Sequence, residues 1–229
     1  MRRQFKLFVK KITSVFLFTV KAGPLQGYKV IAASGTKFIR GTYEKRMMQY
    51  LAEHLKPGDV CLDVGGHIGY ISLVMGKIIG PTGNVFTLEP RPINIKYIEK
   101  HISANKADNV KLIKTGVSNY IGTARFDLDT GTGSGKITNK GILEIPVTTI
   151  DTLLESGDIL PPRLIKMDIE GEEVNALKGA EKLLVEHKPL LNISTHGKEI
   201  REQCEAFLTD LGYEIQEGTP RNDLIAHHP

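Results

Sequence analysis

Asp63 closes the apolar run "VCLDVGG"; Gly65, Gly66 and Gly69 follow it, and Glu89 ends a second such run, "NVFTLEP". Glycines at a strand-to-helix turn let the backbone bend with no Cβ in the way, and Gly69 would let the following helix approach a ligand closely. A carboxylate at the next strand end can accept from both hydroxyls of a ribose. Two nucleoside cofactors fit that sketch. A dinucleotide site uses G-x-G-x-x-G to rest a pyrophosphate on a helix N-terminus. Here Gly66 and Gly69 hold two of those places, but Val64 holds the first. Asp63 would repel a pyrophosphate and attract the α-amino group of S-adenosylmethionine, directly or through water, so it discriminates between the cofactors, whereas Glu89 suits either. A ligand-free turn in which Asp63 merely caps the helix leaves Glu89 without a role. Pro90 beside Glu89, His67 within the glycine loop, and Gly116 and Val117 after the third apolar run complete the candidate cofactor set.

A second group follows the run "RLIKMDIEGEE". Asp168 and Glu170 would emerge at the same edge as Asp63, and Asp168 is the first candidate to orient or deprotonate an acceptor hydroxyl. His196, closing "PLLNISTH", has a side chain suited to a base near neutrality. Glu172 and Glu173 read as acids favoured at the positive end of the next helix. Asp168 and His196 could supply two metal ligands, but the spacing does not support a metal site and none is assigned. "GTGSGK", residues 131–136, imitates a phosphate loop, yet Thr130 and Ile137 stand where glycine and a hydroxyl are required. It reads as a flexible tip beside the active edge, placed to act as a lid.

These residues need a scaffold that brings strand ends together. After "PGD", strand, helix, strand, helix, strand is the order of "VCLDVGG", "HIGYISLVMGKII", "NVFTLEP", "RPINIKYIEKHISANKA" and "NVKLIKTGVS". That alternation predicts a parallel sheet with covering helices, whose carboxyl edge holds the ligand. "GTARFDLDTGTGSGKITNKGILEIPVTTI" interrupts it and reads as an inserted hairpin. "DTLLESG" then reads as a short helix capped by Asp151, and "EEVNALKGAEKLLVEHK" as one helix. "YEIQEG" and "LIAHH" would form a final antiparallel pair.

At 229 residues the chain suits a single full-sized domain. Its net charge of +4 is concentrated in "MRRQFKLFVKK" rather than in a stripe, so a nucleic-acid groove is not indicated. Two separated cysteines, Cys61 and Cys204, give no disulfide framework or zinc knuckle, which points to a reducing, cytoplasmic compartment. The apolar run from Ser14 to Val20 is shorter than the ~20 residues that span a bilayer. It reads as a packing helix, as a basic amphipathic helix against the inner face of a membrane, or as a cleaved secretory signal with a poor cleavage site. The expected division is 1–40, an N-terminal helix and extended segment, and 41–229, the catalytic domain.

The sequence resembles the FkbM-type methyltransferases of the class I S-adenosylmethionine-dependent fold. "GTYEKRMMQYL", "KPGDVCLDVGGHIGYISL", "TLEPRPINIKYIEKHISAN", "VTTIDTLL" and above all "LIKMDIEGEEVNALKGAEKLL" carry the resemblance, over about Gly41 to Leu191. It implies a Rossmann-like α/β fold with a mostly parallel seven-stranded sheet, helices on both faces and an inserted β-hairpin. It also implies methyl transfer, usually to oxygen, on a sugar, glycan, polyketide or other secondary metabolite. Tyr43 and Glu44 match the family and are placed near the cofactor pocket, although an acidic helix start explains Glu44 equally. Two departures stand out: His67 replaces the usual asparagine, and the fifth strand lacks an acidic residue near its end. The second leaves a catalytically inactive S-adenosylmethionine-binding module as the alternative to an enzyme. The acceptor's identity and the oligomeric state have no sequence signature.

Overall fold

The computed structural model describes residues 16–31, 35–128, 135–138, 141–218 and 223–229. Seven strands form the main sheet: β3 (Val60–Val64), β4 (Asn84–Leu88), β5 (Val110–Ile113), β10 (Leu164–Met167), β11 (Leu190–Ser194), β12 (Glu214–Glu217) and β13 (Asp223–His227). Their spatial order is β12-β13-β11-β10-β3-β4-β5. Neighbours from β11 to β5 run parallel, and β13 is antiparallel to both β11 and β12, as the terminal pair predicted. The strand order reverses at β3 and β10, which is where an open α/β sheet opens a crevice.

The strands alternate between two apolar layers. Cys61, Val85, Val110 and Leu164 pack on one face with α3 (Tyr70–Ile79), α2 (Lys45–His54) and α4 (Pro92–Asn105). Leu62, Val64, Phe86, Leu88, Ile165 and Met167 pack on the other with α5 (Ile150–Glu155), α6 (Glu173–Lys178), α7 (Glu181–His187) and α8 (Lys198–Asp210). The period of two therefore places Asp63, Thr87 and Lys166 on the first face, and the register sets Asn192, Lys166, Asp63 and Thr87 side by side on four adjoining strands. All four are buried. A polar row thus crosses the sheet near its carboxyl edge.

Three predicted elements differ. The "EEVNALKGAEKLLVEHK" segment is two helices, broken at Gly179, where a Cβ would lie 2.2 Å from the Ser118 carbonyl oxygen. Asp151 does not cap its own helix: Thr149 Oγ1 accepts from Thr152 N–H there. Asp151 instead accepts from the Lys182 and Leu183 N–H groups and caps α7. The insertion is more than a hairpin. β6 (Gly116–Val117), β7 (Gly122–Leu128), β8 (Gly135–Ile137) and β9 (Leu143–Thr148) make a four-stranded sheet, ordered β6-β9-β7-β8, around Ala124, Phe126, Ile145 and Val147. Residues 129–134 lie outside the described residues, and with them most of the proposed lid at 131–136, whose last two residues begin β8.

Residues 1–15 also lie outside the described residues, and with them the whole basic segment. Where a helix was expected up to Val20, β1 (Leu17–Thr19) pairs antiparallel with β2 (Lys29–Ile31). The short helix α1 (Thr36–Arg40) follows. Val20, Leu25, Val30 and Ile31 are buried in the same layer as α3. His101, wholly buried, joins this ribbon to the glycine loop: it accepts from Ile31 N–H at 2.7 Å, and its Nδ1–H donates to the Ile68 carbonyl at 2.7 Å. Burial lowers its pKa to about 4, which keeps the ring neutral for that tautomer. Both cysteines are free and buried, and among the described residues no helix is long and apolar enough to cross a membrane.

Candidate active site

A cavity of about 610 Å³ opens at the carboxyl edge, within the range of small-molecule sites. Its walls come from the loop after β3, the ends of β4, β10 and β11, α1, the start of α2 and the inserted sheet. Gly65, Gly66, His67, Glu89, Pro90, Tyr43, Glu44, Gly116, Val117, Asp168, Glu170 and His196 all line it. Gly69 and Asp63 do not.

The glycine loop is shaped by protein neighbours. Gly65 has φ +83°, and a Cβ there would sit 2.0 Å from the Asp168 carbonyl oxygen; at Gly66 it would meet Thr87 Cγ2 at 2.2 Å. Gly69 adopts φ +77° against Ile98, so it serves the turn and helix packing rather than a close approach of cofactor, as the sequence had suggested. His67 stands at φ +52°, the left-handed region that asparagine tolerates best and histidine more readily than most. Histidine can therefore take the place for which the resemblance implies asparagine. Burial lowers its pKa to about 4, and its Nε2 is buried with no hydrogen-bond partner among the described residues.

Asp63 requires a correction. Its side chain is wholly buried, accepts from Ser72 Oγ at 2.5 Å, and pairs with Lys166 Nζ at 3.3 Å. It does not line the cavity, so of the two expected forms of contact with a cofactor ammonium the direct one does not fit its position. Lys166 is the member that reaches the cavity, and it also donates to the Gly65 carbonyl at 3.1 Å. Burial would lower its pKa, but Asp63, Asp168 and Glu44 outweigh burial and hold it above the usual lysine value. Asp63 therefore anchors a charged strut under the loop. Lys166 was invisible to motif reading because a lysine within a strand reads as solvated.

Glu89 lies just past the end of β4, on the cavity wall. It is nearly buried, and its Oε2 and Oε1 accept from the N–H groups of His67 (2.8 Å) and Arg91 (2.9 Å). Burial raises its pKa to about 7 against those bonds and one from Asn94. Each oxygen keeps acceptor capacity facing a cavity, as a ribose diol requires. Tyr43 stacks on Phe38, ring centroids 4.3 Å apart, and meets Tyr70 edge-on at 5.7 Å. Burial and Glu44 raise the Tyr43 pKa, so the phenol stays protonated. Glu44 starts α2 at φ +39° without a side-chain capping bond, so the helix start does not explain it. Burial raises its pKa, although Tyr43 and Lys166 oppose that. Phe126, Ile137 and Ile145 of the insertion add an apolar wall.

Also on the cavity wall, His196 Nε2 lies 3.6 Å from Asp168 Oδ1 and 3.3 Å from Glu170 Oε2. Its Nδ1 is 2.8 Å from Oε1 of Glu173, which is wholly buried and also accepts from the Ile169 and Gly171 N–H groups. The bond to Glu173 leads the rise of the His196 pKa to about 9, over the opposing effect of burial, and Glu170 and Asp168 add to it. Glu173, read from sequence as a helix-end acid, thus orients the imidazole. Glu172 instead accepts from Ser118 Oγ and Asn175 Nδ2. His196 was placed correctly; its bond to a buried glutamate 23 residues earlier has no sequence signature.

Comparison with known proteins agrees with this architecture. The chain is 30% identical over 138 residues to the hexuronic acid methyltransferase AglP of Haloferax volcanii, a match spanning 59% of this chain and 56% of that protein. It is 31% identical over 120 residues to a protein-L-isoaspartate O-methyltransferase of Fervidobacterium nodosum, across 51% of this chain and 54% of the relative. It spans, then, little more than half the length of these curated relatives. Among solved structures, an FkbM methyltransferase from Methylobacillus flagellatus superposes with a TM-score of 0.56 at 20% identity, covering 84% of this chain and 60% of that one. A S-adenosylmethionine-dependent O-methyltransferase from Thermotoga maritima gives 0.51 at 14% identity, covering 80% and 65%. The methyltransferase FkbM domain model matches residues 63–215. With S-adenosylmethionine as its cofactor and a class I methyltransferase fold, the chain belongs to the methyltransferase FkbM domain family.

Proposed function

We propose that the chain methylates a hydroxyl oxygen of a sugar, either free, within a glycan or on a glycosylated metabolite. The observation that carries this reading is one cavity with Glu89 on one wall and the Asp168–Glu170–His196 group on another. When bound, S-adenosylmethionine supplies an electrophilic methyl group on sulfur. Glu89 would accept from its ribose hydroxyls, and the loop of Gly65, Gly66 and His67 would lie along it. Lys166 suits its carboxylate, and Glu44 or Asp168, rather than Asp63, its ammonium.

Positioning supplies much of the acceleration in such a displacement. Asp168 would hold the acceptor O–H and take its proton as the oxygen receives the methyl group, with the cofactor leaving as a neutral thioether; water would then carry the proton away. His196, protonated near neutrality, is a poor base but a donor that can fix the acceptor oxygen. Two carboxylates beside the acceptor favour a neutral hydroxyl over an anionic carboxylate. Since the Haloferax volcanii relative is named a hexuronic acid methyltransferase, a methyl ester on a hexuronic acid is the second reading. Its support is Lys37, Arg46 and Arg91, which also line the cavity.

The test is a panel of neutral hexosides, hexuronosides and an isoaspartyl peptide, incubated with methyl-labelled cofactor and then treated with mild alkali. Alkali-stable label on a hexoside, lost in Asp168→Asn, is the expected result. Alkali-labile label on a hexuronoside replaces the hydroxyl reading with the ester. Adenosine binding without any transfer favours a binding module.

A further inference from the structure

We propose that Asp168, Glu170 and His196 form a binding site for a first-row divalent cation that seats the acceptor's oxygens beside the methyl donor. This rests on the reading of the cavity as a methyl-transfer site. One ligand atom from each residue lies within 4.8 Å of the other two. Ligands about 2.1 Å from a metal stand about 3.0 Å apart when cis in an octahedron and about 3.4 Å apart in a tetrahedron. The distances from His196 Nε2, 3.3 and 3.6 Å, fit that spacing. They are long for charge-assisted hydrogen bonds, which run at about 2.7–2.9 Å.

The imidazole is held as a ligand would be. Glu173 is wholly buried, and its Oε1 takes the Nδ1–H, which leaves Nε2 toward the two carboxylate oxygens. Carboxylate–histidine–metal arrangements fix tautomer and ring orientation in this manner. Without a metal the Nε2 proton fills the place between the two carboxylates, and a divalent cation binding there would displace it. Three protein ligands, each about one-third exposed, leave coordination positions for oxygens of a diol. One imidazole with two carboxylates suits Mn2+ or Zn2+. A cation there would polarise the acceptor hydroxyl and lower its pKa while Asp168 remains near.

Electron paramagnetic resonance of Mn2+ titrated into the full chain tests the proposal. One site per chain is expected, weakened about tenfold or more in Glu170→Gln and in His196→Asn. Glu173→Gln, a change at the positioning residue, should weaken it about 10–100-fold. Thermal melts and adenosine affinity on the same samples report folding and the cofactor end separately, and Glu170→Gln alone suffices if either histidine-linked variant misfolds. Equal Mn2+ affinity in wild type and Glu170→Gln, or no binding by wild type, overturns the proposal. Methyl transfer undiminished after chelation does the same and leaves the transferase reading standing. Mn2+ bound with no transfer to any acceptor sinks that reading and leaves the site.

Discussion

Glu89 makes cofactor affinity dependent on pH in a direction the structure fixes. Its carboxyl, raised by burial to about 7, must be ionised to accept from two ribose hydroxyls. Binding strength is therefore full above that value and lost as pH falls through it. Between pH 6 and pH 8 the ionised fraction rises from about one-tenth to about nine-tenths, so affinity should tighten about tenfold, or ~1.4 kcal/mol. Adenosine is the right probe, since it carries the ribose diol without an amino-acid moiety. Glu89→Gln should abolish the dependence and bind more weakly than wild type at pH 8. Two charge-assisted hydrogen bonds become neutral, and because both oxygens now take backbone N–H groups, the amide NH2 must face one of them. Together these changes should cost about 1–3 kcal/mol, roughly 10–100-fold in affinity. Calorimetric titration of adenosine at pH 6, 7 and 8 is the assay. A pH-independent wild-type affinity, or a Gln variant that keeps the slope, refutes the reasoning.

Lys166→Met strands the wholly buried Asp63 and should destabilise the fold by about 3–5 kcal/mol. At roughly 2–4 °C per kcal/mol, the melting temperature should fall by ~6–20 °C. The double variant Asp63→Asn/Lys166→Met should recover most of that loss; scanning calorimetry showing the double no better than the single would contradict the strut. Asp151→Ala should cost about 1 kcal/mol, about 2–4 °C, by uncapping α7 rather than α5. Faster amide exchange at Lys182 and Leu183, with Thr152 unchanged, is the signature to look for.

The parallel sheet was legible because each central strand is a short apolar run closed by glycine or proline, and that pattern has few alternatives. Glu89 was legible because its position after the second strand fixes its place at the edge. Lys166 was not: its partner lies 103 positions earlier, on the neighbouring strand, and only the register brings them together. The same holds for Glu173 and His196. Asp151 sits inside a helix start that looks like its own cap, and only the return of the chain past Gly179 reveals the other helix it serves. The insertion was read as a hairpin because β6 is two residues long and pairs parallel with β9, a contact that alternation along the chain does not encode. For Glu44, periodicity could not separate a helix start from a pocket wall.

The strut beneath the glycine loop reaches it from 101 residues further along the chain. On the ribosome, the first half emerges with Asp63 and its loop before Lys166 has been made. Until then the crevice lacks its cation, and Asp63 stays in water, because burying its charge without Lys166 is costly. Cofactor competence should consequently appear late in synthesis and all at once, when the fourth parallel strand docks.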